Sequence, residues 1–188
     1  MESALRKDGK TPTADLREAI QALMETNHLN LCVECGKCSA ICPMVTLYGE
    51  YVHNRGTRSM VERLCFDPDG IDDEALWYCW ACTQCTFFCP SGVDFQSFMT
   101  GFRQLLVSHG YSEHAYSCKV CGAYLMPKKQ LQVLEATLNG NGNSELLYEC
   151  PNCKKDKYLS RWRGEAVDGK GGWRIRNRSS CRTGICPS

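Results

Sequence analysis

Residues 32–43 read CVECGKCSAICP and residues 79–90 read CWACTQCTFFCP, so one cysteine pattern occurs twice along the chain. Both copies have the form C-x2-C-x2-C-x3-C-P, and each cysteine of the second copy lies 47 residues after its counterpart. One such run is already rare by chance, and two in register are rarer still. The repeat therefore decides which fold and which chemistry we expect.

This spacing is typical of cysteines that bind [4Fe–4S] clusters. Three thiolates in one tight loop cap three irons of a cube, and the fourth cysteine, followed by proline, binds the cluster of the other copy. Two interlocked clusters lie close together, which suits the transfer of single electrons. The expected ligands are Cys32, Cys35, Cys38 and Cys89 for cluster 1, and Cys79, Cys82, Cys85 and Cys42 for cluster 2.

The cysteine content indicates metal binding rather than disulfides. The chain has 188 residues with 15 cysteines, and twelve of these belong to the repeat or to further C-x2-C pairs. No basic segment leads into an apolar run at the N-terminus, so no secretory signal is predicted. Such a pattern in a cytosolic protein favours a metalloprotein. No stretch approaches the ~20 apolar residues needed to cross a bilayer, and we expect a cytoplasmic protein without a membrane span.

Charge is distributed unevenly along the chain. The net charge is +1, but residues 154–188 carry ten Lys or Arg against three acidic residues. A basic tail on an acidic body is typical of a docking device or a nucleic-acid patch, and equally of a solvated terminus. We expect residues 1–12 to form a disordered N-terminus and residues 161–188 a basic C-terminal tail.

Helical periodicity dominates residues 13–112. Asp15–Met24 and Arg58–Cys65 each place apolar residues on one face, and Cys65 is expected to be buried as a small hydrophobic residue. Asp72 is predicted to cap a short helix that leads into Trp77. Little of this region alternates as a strand would. The fold class is therefore predicted as mainly α, with a helical two-[4Fe–4S] ferredoxin domain over residues 13–112.

A longer helix is predicted after the second cysteine run, with Asp94 as its N-cap and its end near Gly110. We expect its apolar face to form the core and to shield a cluster from water, which would affect the reduction potential. That face consists of Phe95, Phe98, Met99, Phe102, Leu105 and Leu106.

A second cysteine group is expected in a small four-cysteine metal-ribbon module over residues 113–160. Cys118, Cys121, Cys150 and Cys153 form two C-x2-C steps with 28 residues between them. Four thiolates suit Zn2+ and equally suit a single iron, and we favour structural zinc. The spacing resembles rubredoxin, although Lys154 replaces the glycine favoured there. His114 is a weaker candidate ligand, and Lys128–Leu138 is predicted to be a helix.

Catalytic signatures are missing from the sequence. There is no Gly-rich phosphate loop, H-E-x-x-H, nucleophile elbow or dinucleotide fingerprint. Each predicted cube has four thiolate ligands, so no iron is left open for substrate. The remaining cysteines, Cys181 and Cys186, are either unassigned thiols or a redox pair. We therefore expect a relay subunit; a nucleic-acid-binding regulator and a thiol/disulfide enzyme are the alternatives.

Three segments closely resemble the small iron–sulfur C-subunit of heterodisulfide reductase: LCVECGKCSAICPM, NRGTRSMVERL and LWYCWACTQCTFFCPSGVDFQSFMTGFRQLLVSHGY. The resemblance covers about residues 13–112. It implies a relay of single electrons from a flavin-containing iron–sulfur subunit to a catalytic subunit that carries CCG motifs and reduces a disulfide. No nucleic-acid partner is then expected. The additional C-terminal module leaves open a bacterial relative with another donor or acceptor.

The helical two-cluster domain is also similar to part of the iron–sulfur subunits of succinate dehydrogenase and fumarate reductase. Those subunits begin with a [2Fe–2S] domain of C-x4-C-x2-C spacing. Only 31 residues precede Cys32 here and none is cysteine, which disfavours that family.

Overall fold

The computed structural model describes residues 12–48, 55–67, 70–71, 73–138 and 144–162. The chain divides into two compact units, residues 1–105 and 106–188, each described separately below. The predictions for the N-terminus before residue 12, for the tail after residue 162, and for Cys181 and Cys186 lie outside the described residues. None of the described helices is long and apolar enough to cross a membrane.

The first unit is built from helices, and its described residues contain no strand. The mainly α fold predicted from the sequence is confirmed. Two four-residue helices, α2 and α5, occupy equivalent places in the two cysteine runs and pack against each other. The helices are α1 (Ala14–Thr26), α2 (Lys37–Ala40), α3 (Met44–Tyr48), α4 (Thr57–Phe66), α5 (Gln84–Phe87) and α6 (Phe95–Ser108), with 3-10 turns at Leu29–Leu31 and Glu74–Trp77.

The core of this unit includes the apolar faces of α1 and α6. Leu16 and Ile20 of α1 are buried, and so are Phe98 and Phe102 of α6, whose rings stack with centroids 5.4 Å apart. The predicted core face of α6 is therefore confirmed, except that its Leu105 is only half-buried. The close approach of the two helices depends on Gly101, because a Cβ atom there would lie 3.1 Å from Cδ2 of Leu23.

A backbone hydrogen bond joins the two ends of the cysteine-bearing segment. The amide of Asp94 donates to the carbonyl of Asn27 over 3.0 Å. Asn27 is buried, and its side-chain amide donates to the carbonyl of Leu23 over 2.8 Å at the end of α1. The Asp94 carboxylate accepts from the amide of Ser97 over 3.1 Å, so the predicted N-cap of α6 is confirmed. The chain thus leaves the second cysteine run beside the point where it enters the first.

One expectation for this unit is wrong. Cys65 is exposed, because it lies one residue beyond the buried Leu64, where α4 turns its face to solvent. The Glu74–Trp77 turn is capped by Asp73, whose carboxylate accepts from the amide of Ala75 over 2.7 Å; Asp72, the residue predicted for this role, lies outside the described residues. Asp73 also pairs with Arg63 of α4, which fixes the turn against that helix.

The second unit contains a short hairpin followed by helices. Strand β1 (Ala115–Ser117) pairs antiparallel with β2 (Tyr124–Pro127), with an irregularity between Tyr116 and Ser117. β2 leads directly into α7 (Lys128–Leu138), the range that the sequence predicts. A 3-10 turn at Ser144–Tyr148 then precedes α8 (Pro151–Trp162).

Candidate metal centres

The two cysteine runs share an unusual backbone conformation. Glu34 has a φ of 52° and Ala81 a φ of 49°, and these residues occupy the same place in the two copies. Left-handed φ is uncommon for residues other than glycine and is found at sites that the surrounding structure holds in place. In the second copy the amide of Ala81 donates to Sγ of Cys79 over 3.2 Å. The backbone amide of Ala81 therefore points at the sulfur atom of Cys79.

An open cavity brings the first cysteine loop together with the last cysteine of the second copy. It is open to solvent, and its lining includes Cys32, Cys35, Cys38 and Cys89. These are the residues expected to bind cluster 1. Glu34 and Arg58 lie at the same cavity and form an exposed ion pair of 2.9 Å. The donor set and the open space suit an iron–sulfur cluster with four thiolate ligands.

The Cys42 thiol interacts electrostatically with cysteines of the second loop. Burial is the main cause that raises the pKa of Cys42, and the negative charges of Cys79 and Cys82 raise it further. Burial also raises the pKa of Cys85 to about 11, with added repulsion from Cys79 and an opposing hydrogen bond from Thr57. The four residues expected to bind cluster 2 therefore affect one another's charge.

The two groups of thiols are close enough to affect each other. The charge of Cys38 raises the pKa of both Cys42 and Cys85, in addition to the larger effect of burial. Cys38 belongs to the first group and the other two belong to the second. The thiols of the two predicted groups therefore influence one another's charge.

A buried cation accompanies the second group. Burial raises the pKa of Cys79, whereas the charge of Arg103 and a hydrogen bond from it lower that pKa. Arg103 is 2% exposed and belongs to α6. It was not among the residues predicted from the sequence. A signal was available, because Arg103 follows Met99 by four residues and so falls on the apolar face of the helix.

A separate group of four thiols lies in the second unit. Cys118 and Cys121 lie at the hairpin, Cys150 precedes α8 and Cys153 is in its first turn. Their Sγ atoms all lie within 4.8 Å of one another, and those of Cys121 and Cys150 are 3.7 Å apart. A tetrahedral metal with bonds of about 2.3 Å requires sulfur atoms about 3.8 Å apart. His114 is not part of this group.

Backbone amides point at these sulfur atoms. Cys118 Sγ accepts from the amide of Val120 over 3.4 Å and from that of Cys150 over 3.2 Å. Burial acts to raise the pKa of Cys118, but these amides and the Cys121 amide together lower it to about 7. Burial raises the pKa of Cys121 to about 11 and also raises that of Cys153. The amides thus stabilise thiolate charge at Cys118, as a metal ligand requires.

The left-handed Gly122, with a φ of 74°, closes the first of these two loops. Its amide donates to the carbonyl of Cys118 over 2.9 Å, and the amide of Cys118 donates to the carbonyl of Ala123 over 2.8 Å. The second loop continues into α8 instead of a second hairpin. The ribbon-like character expected from the sequence is therefore limited to the first cysteine pair.

The repeated cysteine segment matches a known protein family. Residues 28–93 match the family model of a 4Fe-4S dicluster domain. A heterodisulfide reductase C-subunit-like protein of Archaeoglobus profundus is 31% identical over 78 residues, which is 42% of this chain and 40% of the relative. The iron–sulfur C-subunit of the CoB–CoM heterodisulfide reductase of Methanopyrus kandleri is 27% identical over 117 residues, 61% of this chain and 58% of the relative.

A different kind of relative also matches. The glycolate oxidase iron–sulfur subunit of Escherichia coli is 29% identical over 90 residues, 46% of this chain and 22% of the relative. The chain spans less than two thirds of the length of each of these relatives. The family model ends before the four-cysteine group of the second unit. Residues 28–93 therefore match a 4Fe-4S dicluster domain, and this part of the chain is similar to heterodisulfide reductase C-subunits.

Proposed function

We propose that this chain is the electron-relay subunit of a multisubunit reductase. Single electrons pass through two [4Fe–4S] clusters, from a flavin-containing iron–sulfur subunit to a CCG-motif catalytic subunit that reduces a disulfide. Cluster 1 is bound by Cys32, Cys35, Cys38 and Cys89, and cluster 2 by Cys79, Cys82, Cys85 and Cys42. The protein residues bind the clusters, keep them close together and limit their contact with water; the clusters supply the one-electron chemistry.

The proposal rests chiefly on the position of Cys89. Cys89 lines the same cavity as Cys32, Cys35 and Cys38, although it belongs to the other copy of the cysteine run. A fourth cysteine that serves the other copy is typical of two-cluster ferredoxins. In the proposed assignment each centre has four thiolate ligands, which favours electron transfer over substrate binding.

The ligand assignment can be tested by combining substitutions. The wild-type chain should hold about eight irons, and Cys89→Ser or Cys32→Ser alone should lose one cluster, about four irons. Because both residues serve cluster 1, the double variant Cys32→Ser/Cys89→Ser should lose no more than either single variant. Cys79→Ser/Cys89→Ser should lose both clusters. The exposed Cys65 provides the matched control, since Cys65→Ser should keep all the iron.

The opposite pattern of iron loss contradicts the assignment. If Cys79→Ser/Cys89→Ser retains one cluster while Cys32→Ser/Cys89→Ser loses both, the fourth cysteine of each run binds within its own copy. Iron content and the electron paramagnetic resonance spectrum of the dithionite-reduced protein distinguish the two cases. Both measurements are made on the anaerobically purified full chain.

The relay itself is tested in the native complex. The chain should co-purify with a flavoprotein and with a CCG-motif protein, and its clusters should be reduced when the flavoprotein receives its donor. A preparation with full iron that exchanges no electrons with any co-purifying protein contradicts the proposal. The similarity to a glycolate oxidase iron–sulfur subunit favours a second candidate, a relay of the same kind that serves a different substrate.

We propose a structural Zn2+ for Cys118, Cys121, Cys150 and Cys153, within a domain of residues 113–160 that follows the two-cluster domain of residues 13–112. The sulfur spacing and the amide hydrogen bonds support a tetrahedral metal. Metal analysis should find about one zinc per chain, and Cys150→Ser should lose it without loss of iron from the two clusters. A reversible one-electron reduction at this site would show iron instead.

A further inference from the structure

The buried face of α6 carries one charged side chain. Arg103 is 2% exposed, and its neighbours on this face, Met99, Phe102 and Leu106, are fully buried. A guanidinium remains protonated in proteins and is costly to bury unless negative groups surround it. Its position therefore requires an explanation in terms of the charges near it.

The contacts of Arg103 lead to the second cysteine run. Its Nη2 atom donates to the carbonyl of Leu76 over 2.6 Å and to that of Cys79 over 2.7 Å. The guanidinium carbon also lies 5.7 Å from the centre of the Trp77 ring. These contacts fix the guanidinium beside the first cysteine of the second copy.

A carboxylate partner is missing from these contacts. Among the residues that the structure describes, no Asp or Glu oxygen lies within 4.0 Å of Arg103, and its buried Nε has no hydrogen-bond partner. Two carbonyls and an aromatic face offer only partial negative charge. Four cysteine thiolates and the cluster they bind carry net negative charge, which increases by one on reduction.

We infer that Arg103 is the counter-charge of cluster 2 and raises its reduction potential. This inference rests on the proposed function, because it requires a cluster bound by Cys79, Cys82, Cys85 and Cys42. A fixed buried cation stabilises the reduced cluster more than the oxidised one, since the reduced form carries one more negative charge. One electron is gained from the donor and no proton moves. Arg103 acts as a positioning and tuning residue.

The arginine beside the other centre is placed differently. The side chain of Arg58, at the cavity of Cys32 and Cys89, is 44% exposed and pairs with Glu34 over 2.9 Å. Water and the carboxylate screen its charge. The structure therefore provides an unscreened cation beside one cluster of the pair, and Arg58 offers a matched control.

The test is an anaerobic redox titration of the full chain with dithionite, followed by electron paramagnetic resonance. The signal lost in Cys79→Ser identifies cluster 2. Arg103→Gln should lower the equilibrium constant for reduction of cluster 2 by about tenfold, which is about 59 mV for a one-electron couple. Arg103→Lys keeps the charge and should stay within about threefold of wild type, that is about 28 mV. Arg58→Gln should leave cluster 2 unchanged.

The possible results distinguish an effect of the Arg103 charge on the potential from an effect of Arg103 on the assembly of cluster 2. If Arg103→Gln keeps both clusters and its cluster 2 potential stays at the wild-type value, the inference is overturned. It is also overturned if Arg103→Lys lowers the potential as far as Arg103→Gln does, or if neither variant assembles cluster 2. If only Arg103→Lys assembles cluster 2, at the wild-type potential, the need for the charge is supported. Absence of two reducible clusters from the wild-type chain contradicts the proposed function instead.

Discussion

Replacing Gly101 should test the contact between α1 and α6 that supports the cysteine-bearing segment. A Cβ at this position would lie 3.1 Å from Cδ2 and 3.6 Å from Cδ1 of Leu23. Leu23 must therefore shift by a few tenths of an ångström to accept alanine. Alanine is better than glycine in a helix by about 1 kcal/mol, so Gly101→Ala should be neutral or slightly stabilising.

A leucine at the same position adds three further carbons to space that the Leu23 methyl groups occupy. Overpacking of this kind costs about 1–3 kcal/mol, and the gain in helix propensity offsets part of it. We expect Gly101→Leu to destabilise the chain by about 1–2 kcal/mol, which lowers Tm by about 2–8 °C for a chain of this length. In Leu23→Ala/Gly101→Leu the new side chain fills the space that Leu23 leaves, so the double variant should melt above Gly101→Leu.

Thermal melts by circular dichroism under anaerobic conditions, at one scan rate, measure these differences. The neighbouring Thr100 is exposed on the same helix, so Thr100→Leu serves as the control and should not lower Tm comparably. Two results refute the reasoning. One is a Gly101→Leu chain whose Tm equals or exceeds that of wild type. The other is a double variant whose loss of Tm equals the sum of the losses in Leu23→Ala and Gly101→Leu.

Three further predictions concern the core, a helix cap and the four-cysteine group. Phe98 is fully buried, so Phe98→Ala should destabilise the chain by about 3–5 kcal/mol. A variant that loses its clusters at the same temperature as wild type would contradict this. Asp94 caps α6 through Ser97; Asp94→Ala should cost about 1 kcal/mol in thermal melts, while Asp94→Asn keeps most of the stability. Burial raises the pKa of Cys121 to about 11, so this thiol is protonated near neutrality and Zn2+ must displace its proton. Zinc affinity, measured by competition with a chelator, should therefore rise with pH. The rise should be steeper below about pH 7, where Cys118 is also protonated because amide hydrogen bonds lower its pKa to about 7. An affinity that does not change with pH would contradict this prediction.

Periodicity predicted the helices whose faces are buried by packing within the first unit. α1, α4 and α6 follow the apolar spacing of residues such as Leu16 and Met60, because each has one clearly apolar face. The range of α7 is also predicted by its sequence. Such helices depend on local pattern and propensity, which a single sequence contains.

The features that the sequence did not predict depend on neighbours distant along the chain. α2 and α5 are four residues long and follow tight cysteine loops, so they are too short to show a period. The hairpin of β1 and β2 is equally short, and the Cys118–Gly122 turn sets its pairing. The spacing of the cysteines indicated the candidate ligands, whereas Arg103 required knowledge of where its helix packs.

The hydrogen bond between Asp94 and Asn27 has a consequence for how this segment can be reused. These two residues immediately flank residues 28–93, the range that matches the dicluster domain. A segment whose entry and exit are joined by a hydrogen bond of 3.0 Å can be inserted into a surface loop of another protein without displacing the chain on either side. A graft of this segment should therefore retain both flanking residues, Asn27 and Asp94, so that its two ends stay joined.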